Sequence, residues 1–309
     1  MLEYLRATDG ALAKIDGYKP GCWINVVAPT QEEITLLHQT FGVPLDFLTY
    51  PLDIDERSRF EKDGEFSLII FQTSAPLADA YDIPFDTIPV GIIHTKDCIL
   101  TVCLSEVPII KDFIRVGRNI STVKKNRLTL QLFLKNAQRF LSDLRQLNRS
   151  IDETQTRLQT STRNRELLEL LRLEKNLVYF MTALKSNEVM IERLRREQLF
   201  EMFPGDQDLL NDVLTENLQA IEMTQIAANI TSSMTDAFAS IINNNVNAVI
   251  KLLAIATILT AVSTFITSLY GMNVPLPFQD SPFAFEGILI LSLLLVSLIL
   301  FFLWRRRWL

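Results

Sequence analysis

Two histidines and three cysteines in 309 residues are too few for most metal and nucleophile chemistry. His38 and His94 cannot build a spaced zinc site with Cys22, Cys98 and Cys103, and they support no Ser-His-acid arrangement. With ten glycines and no Gly-x-x-x-x-Gly-Lys pattern, the chain has no loop to cradle a nucleotide phosphate, so no ATP is expected. The net charge of −6 comes without a basic stripe interleaved with aromatics, which argues against nucleic acid as a partner. The chain therefore reads as a non-enzyme with no organic cofactor. Cys98 and Cys103 lie five apart in a strand-like run, which points them to opposite faces as buried thiols in a reducing compartment.

The most informative absence is of charge. No Asp, Glu, Lys or Arg occurs from Leu252 to Leu269 or from Gly287 to Trp304, 18 positions each time. A membrane span takes about 20 mainly apolar residues, a length both stretches reach with their flanks. Nearly all the charge lies before Lys251. The chain is thus expected to be an integral membrane protein with two spans. Met1–Gly10 holds Glu3, Arg6 and Asp9 with no apolar segment behind them, so no signal peptide is expected. The basic cluster Trp304-Arg305-Arg306-Arg307-Trp308 places the C-terminus in the cytoplasm by the positive-inside rule. Two spans return the chain to its starting side, so the N-terminus is cytoplasmic as well. The Gly271–Pro282 connection, without Lys or Arg, is external.

What is present divides the chain into segments of different period. Residues 1–118 read as a cytoplasmic α/β domain with strands at 22–27, 66–71, 87–94 and 99–104. After Pro29 a helix is expected, with Thr30 and Glu33 at capping-box spacing, Ile34, Leu37 and Phe41 on one face, and Gly42-Val43-Pro44 as its stop. The charged run Asp53–Lys62 reads as a solvated or salt-bridged connection. Residues 119–205 read as an antiparallel helical hairpin with coiled-coil spacing. Leu130, Leu134, Ala137, Leu141, Leu144, Ile151 and Leu158 form one seam; Leu167, Leu170, Leu177, Met181, Leu184, Ile191 and Leu194 form the other. Thr160-Ser161-Thr162 is the expected turn, and Phe203-Pro204-Gly205-Asp206 the expected stop of the second helix.

From Asp208 to Tyr270 there is neither Pro nor Gly, which as one helix gives roughly 95 Å at 1.5 Å per residue. That exceeds the bilayer core of about 30 Å, so 206–245 is read as a cytoplasmic stalk and 246–270 as the first span. An external loop (271–282), a second span (283–304) and a basic cytoplasmic tail (305–309) complete the chain. Asp236, Asn243, Asn247, Ile250, Ala254, Thr257, Ala261, Thr264 and Ser268 recur at steps of three, four or seven and share one helix face. A polar and small-residue face suits either a conduit or close helix packing. One helix cannot enclose a pore, so a conduit requires an oligomer.

Tyr270-Gly271-Met272-Asn273 follows that span, just before Pro275. Together with Asn247-Ala248-Val249-Ile250-Lys251 and Ile255-Ala256-Thr257 upstream, it resembles the CorA family of divalent-cation channels; Asp53–Glu61 also resembles a segment of that family. The resemblance covers the whole chain in order. It implies an α+β membrane protein of the bacterial plasma membrane that forms a funnel-shaped homopentamer in the lipid bilayer, with the first span around the axis. The implied activity is passive uptake of hydrated Mg²⁺, with Co²⁺ or Ni²⁺ as surrogates and Mg²⁺ also as regulator. A zinc-transporting member of the family is the alternative, and a membrane-anchored helical scaffold the alternative of another class.

By the same resemblance, Gly271, Met272 and Asn273 form the selectivity filter, and Asn247 gives the lower polar ring. Thr257, Ala261, Thr264 and Ser268 line the pore, Ile250 and Leu253 gate it, and Asp236 forms an acidic ring at the cytoplasmic mouth. A regulatory divalent metal between subunits is implied at Asp212, with Asp236 as a further metal candidate. Asp82 and Asp86 are weaker possibilities for the second partner. The loop 274–282 departs from many relatives in carrying one acid, Asp280, among prolines and aromatics.

Overall fold

The structure, a computed structural model, describes residues 1–8, 11–77, 84–117, 120–160, 164–200, 202–274, 276–278 and 281–306. Its first strands are β1 (Leu2–Thr8), β2 (Ala11–Ile15) and β3 (Trp23–Val27). Then come α1 (Gln31–Phe41), α2 (Leu45–Thr49) and a 3-10 turn at Tyr50–Leu52. Four more strands follow: β4 (Arg59–Asp63), β5 (Phe66–Pro76), β6 (Phe85–His94) and β7 (Ile99–Cys103). The rest is helical: α3 (Pro108–Val116), α4 (Lys125–Thr160), α5 (Asn164–Arg196), α6 (Asp206–Tyr270) and α7 (Ala284–Arg305). Contacts divide the chain into two units, Met1–Thr235 and Asp236–Leu309.

In the first unit the strands form one sheet in the order β2-β1-β3-β7-β6-β5-β4. Only β3 and β7 pair in parallel; the other neighbours are antiparallel. Both faces of the central strands are buried, which is why they read as near-continuous apolar runs. Trp23, Ile69, Phe71, Val90, Ile92 and Cys103 face a core shared with α3, α4, α5 and the start of α6. Ile24, Val26, Leu68, Ile70, Leu100 and Cys98 face the opposite core, under α1 and α2. Cys98 and Cys103 thus lie on opposite sides of the sheet, as their spacing predicts. Burial pushes their thiols up to about 11 and about 12, so neither is a thiolate at neutral pH.

Local chemistry sets several boundaries. α1 begins at the expected capping box: Glu33 N donates to Thr30 Oγ1 at 3.2 Å and Thr30 N to Glu33 Oε2 at 3.0 Å. It ends at Gly42, whose left-handed φ of 69° closes the last turn on His38. Three strands lie outside the expected set. β1 and β2 form an edge hairpin, and β4 takes up the end of the charged run. As an edge strand, β4 carries Glu61 and Lys62, which discourage pairing with another chain. Upstream, Glu56 pairs with Arg59 at 2.7 Å, the salt-bridged connection foreseen.

The hairpin of α4 and α5 buries most of the expected seams, Leu130, Ala137, Leu141, Leu144, Ile151 and Leu158 on one helix and Leu170, Leu177, Leu184, Ile191 and Leu194 on the other, while Leu134, Leu167 and Met181 are half-buried. Its turn at 161–163 lies outside the described residues. The expected stop at Phe203-Pro204-Gly205 is corrected: α5 ends at Arg196. Gln198 adopts a left-handed φ of 47°, with Leu199 N bonded to Leu194 O and Gln198 N to Arg195 O. This is a Schellman closure. It turns Phe200 into the core, where it stacks on His94 with 5.8 Å between ring centroids.

Buried amides fix the hairpin to the sheet. Where β4 has ended, Gln72 of β5 has no strand neighbour on that side. Asn187 of α5 takes the neighbour's place, accepting from Gln72 N and donating to Gln72 O, both at 2.8 Å. Asn136 of α4 donates to the same carbonyl at 2.8 Å. Asn187 also accepts from Ser58 Oγ, so one amide ties together α5, β5 and the charged connection.

Two consequences can be measured. A Cβ on Gly91 of β6 would stand 2.2 Å from Pro51 Cγ. Gly91→Ala is expected to destabilise the fold by about 1–3 kcal/mol, read by thermal melting of the detergent-solubilised chain. His94 is buried and bonds through Nε2 to Thr129 Oγ1 at 2.8 Å; desolvation and then Lys125 push its imidazole from 6.5 down to about 3. Below the unfolded value the unfolded chain binds the proton more readily, so this histidine's burial lowers stability as pH falls from about 6.5 toward about 3. Melting temperature should therefore fall less in His94→Gln than in wild type between neutral pH and about pH 5.

Candidate functional site

Asp236, Asn243, Asn247, Ile250, Ala254, Thr257, Ala261, Thr264 and Ser268 lie on the one helix α6, and each is exposed. The covered positions of the same stretch are different ones: Ile255 and Ile266 are buried, and Leu259 and Val262 half-buried. On α7 the half-buried positions, Ala284, Ile288, Ser292, Leu295, Val296, Ile299, Leu300 and Leu303, also fall on one side of the helix, as two helices lying side by side produce. At 3.6 residues per turn the polar stripe and the covered face of α6 point about 140° apart. The small and polar residues of the stripe are therefore not there to receive α7. Ile250 is 58% and Leu253 61% exposed, with Leu253 one step to the side of the stripe.

One hydroxyl of the stripe has a defined direction. Thr257 Oγ1 donates to Leu253 O at 2.8 Å, the back-bond common for threonine in helices. Its proton is thereby committed to the helix, and what it offers outward is an acceptor. An acceptor suits the hydrogens of a cation's hydration water. The amides of Asn247 and Asn243 add further neutral oxygens along the same face.

α6 ends at Tyr270, and Gly271 N and Met272 N close the last turn on Thr267, Ser268 and Leu269. Gly271 has no left-handed φ, and a Cβ there would meet only the Thr267 and Ser268 carbonyls at 3.5 Å, ordinary contact. Among the described residues nothing requires glycine at this position. Asn273, Tyr270, Met272 and Leu276 line an open cleft with Ala284, Phe285 and Ile288 of α7. Pro275, Gln279 and Asp280 of the loop lie outside the described residues, as do Arg307 and Trp308 of the basic tail.

At the other end of α6 the acidic residues separate into two kinds. Asp206 is buried, pairs with Arg127 of α4 at 2.6 Å, and accepts from Phe203 N at 3.1 Å. It anchors the helix start. Asp208 and Asp212 are exposed, and Glu216 is half-buried. Nothing in the sequence marks Arg127 as the partner, because 79 residues separate the pair. Asp82 lies outside the described residues, and Asp86 accepts from its neighbour Thr87 N at 2.8 Å. Among the described residues no group of three or more His, Cys, Asp or Glu could hold a metal ion.

Among the described residues two helices are long and apolar enough to cross a membrane, α6 in its C-terminal part and α7. A sequence model of the family described as CorA-like Mg²⁺ transporter protein matches residues 19–307. The cobalt/magnesium transport protein CorA of Methanocaldococcus jannaschii is 28% identical over 297 residues, which cover 93% of this chain and 90% of that protein. The complete structure of the CorA magnesium transporter from the same organism aligns with a TM-score of 0.85 at 24% identity, over 100% of this chain and 99% of that one. Full-length CmaX aligns at 0.72 with 16% identity over 96% of each chain. The cytoplasmic domain of ZntB from Vibrio parahaemolyticus aligns at 0.61 with 12% identity, over 79% of this chain and 97% of that one. These structural likenesses show the fold.

The two kinds of aspartate at the start of α6 make a contrast that melting can read. Asp206→Ala leaves Arg127 and Phe203 N without their acceptor and is expected to cost about 1–3 kcal/mol. Asp212→Ala, on the exposed side, should stay within about 0.5 kcal/mol of wild type.

Proposed function

Because the chain belongs to the family of CorA-like Mg²⁺ transporter proteins, we propose that it is a membrane channel carrying hydrated Mg²⁺ passively into the cell. The observation that carries this reading is the polar stripe of α6, exposed and turned away from α7. An inside-negative potential supplies about 2.3 kcal/mol per charge per 100 mV, and so about twice that for a divalent ion. Mg²⁺ releases its water reluctantly. Neutral Asn and Thr oxygens accept hydrogen bonds from that water without replacing it, whereas a ring of carboxylates would hold the ion too long for conduction.

The conduit is a homopentamer with the stripe of each copy toward the axis. The two flanks of the stripe support a head-to-tail ring. Over residues 256–269 one flank carries the bulky, exposed Ile258, Phe265 and Leu269, and the other the small Ala256, Thr260 and Thr267. Unlike flanks of this kind let each copy pack its large side into the small side of the next, as cyclic symmetry requires. Glycine at 271, which nothing among the described residues requires, leaves room for neighbouring copies at the mouth. Within this ring Gly271, Met272 and Asn273 form the external filter, Asn247 the lower polar ring, and Thr257, Ala261, Thr264 and Ser268 the lining. Ile250 and Leu253 form the gate. Asp236 from each copy gives an acidic ring, whose carboxylates a cation holds together. Asp212 binds regulatory Mg²⁺ with a group from the adjacent copy, and that ion favours the closed state it bridges.

Flux into proteoliposomes under an inside-negative potential, read with a fluorescent ion indicator, tests the assignment. Wild type is expected to pass Mg²⁺, and Asn273→Ala to lose selective uptake while still assembling. Robust Zn²⁺ flux without Mg²⁺ flux would move the chain to a zinc-transporting role. With internal Mg²⁺ raised, Asp212→Ala should stay open at levels that close wild type.

A further inference from the structure

The connection between α6 and α7 is unlike an aqueous loop. Across residues 271–283 there is one ionisable side chain, Asp280, and there are three prolines. Its aromatic groups are displayed rather than tucked away: Phe278 is 82% exposed and Phe283 72%, and Phe285, in the first turn of α7, is 76% exposed. Phe278 holds a left-handed φ of 68°, an uncommon state for a bulky residue, and Ser281 N bonds to its carbonyl at 3.1 Å. The loop also does not stand clear of the helices, since Met272, Asn273, Val274 and Leu276 share a cleft with Ala284, Phe285 and Ile288 of α7. Its apolar surface is thus continuous with that of a membrane-spanning helix.

We propose that this loop is a bilayer anchor: Phe278 and Phe283 insert into the outer interfacial region of the lipid and hold the Asn273 signature at headgroup depth. The occupant of the surface is lipid, because the exposed rings extend the lipid-facing apolar surface of α7 and no basic group directs them to an acidic partner. Apolar patches of this kind on a membrane protein's margin mark contact with the membrane. The loop's poverty in acids fits the same role, since carboxylates would resist entry into the interface. The assignment rests on the two spans and not on the identity of the transported ion.

Site-directed spin labelling of the full chain tests it. Cys22, Cys98 and Cys103 are buried, so a thiol-specific nitroxide is directed to an introduced cysteine. Phe278→Cys and Phe283→Cys, each on an exposed position, are labelled and reconstituted in phosphatidylethanolamine/phosphatidylglycerol vesicles. Leu293→Cys on α7 and Glu32→Cys on α1 serve as lipid and water references. Power saturation with oxygen and with a water-soluble nickel chelate then reports the surroundings of each label. The anchor predicts an oxygen-to-nickel collision ratio severalfold above that of the Glu32→Cys label and approaching the Leu293→Cys value at both loop sites. A ratio matching Glu32→Cys would overturn the proposal in favour of a solvated loop. Low collision with both reagents would overturn it in favour of rings packed between copies. Mg²⁺ flux is not needed for either reading, so a different ion specificity leaves the result intact.

Discussion

Everything in this protein hangs on a helix that nothing interrupts. A proline in α6 would remove a backbone bond and clash with the preceding turn, and a glycine would weaken it; neither occurs between Asp206 and Tyr270. In the membrane part this continuity is obligatory, since an unpaired amide in hydrocarbon costs several kcal/mol. With the backbone fully committed, the side chains of α6 are free to differ by face. One face is covered by apolar neighbours, one carries acceptors, and two unlike flanks lie between. Threonine fits this scheme because its hydroxyl proton can be returned to the helix's own carbonyl.

The cytoplasmic unit obeys a different constraint. A sheet buried on both sides must satisfy its backbone polar groups internally, including those where an edge strand stops short. Asn187 and Asn136 do this at Gln72, and Asn176 of α5 does it at the Phe85 carbonyl with a bond of 2.6 Å. Their cost is burial, and their effect is register: an apolar residue in place of Asn187 would leave Gln72 N of β5 without its acceptor, and one in place of Asn176 would leave the Phe85 carbonyl of β6 without its donor, while Asn136 doubles the bond to the Gln72 carbonyl. The long hairpin of α4 and α5 is therefore fixed to the sheet at particular turns rather than lying on it by hydrophobic contact alone. The Arg127–Asp206 pair applies the same principle to the start of α6.

Much of the architecture is legible in the sequence because it depends on runs and periods. The uncharged stretches after Leu252 and Gly287, the seams of α4 and α5, and the Thr30/Glu33 box are all local patterns, and local energetics decides them. Strands β1 and β2 are less legible. Their apolar alternation is weak and only β2 is an edge strand, although the Asp9-Gly10 dipeptide between them is a hairpin signal in its own right. β4 hides inside a charged run for the same reason. The end of α5 is misjudged from sequence because Pro204 and Gly205 are strong punctuation, while Gln198 is not; the helix stops early so that Phe200 can reach His94.

The two apolar helices, the unbroken α6 and the membership of the polar stripe are readable along the chain alone. These follow from period and composition, which act along the chain. Tertiary structure alone decided that the stripe points about 140° away from the face covered on α6, because only a second helix in place distinguishes one small-residue face from another. It likewise decided which aspartate at the start of α6 is an anchor and which is exposed. Asp206 and Asp212 are alike in type and six positions apart, and it took an arginine from a distant helix to make one of them structural.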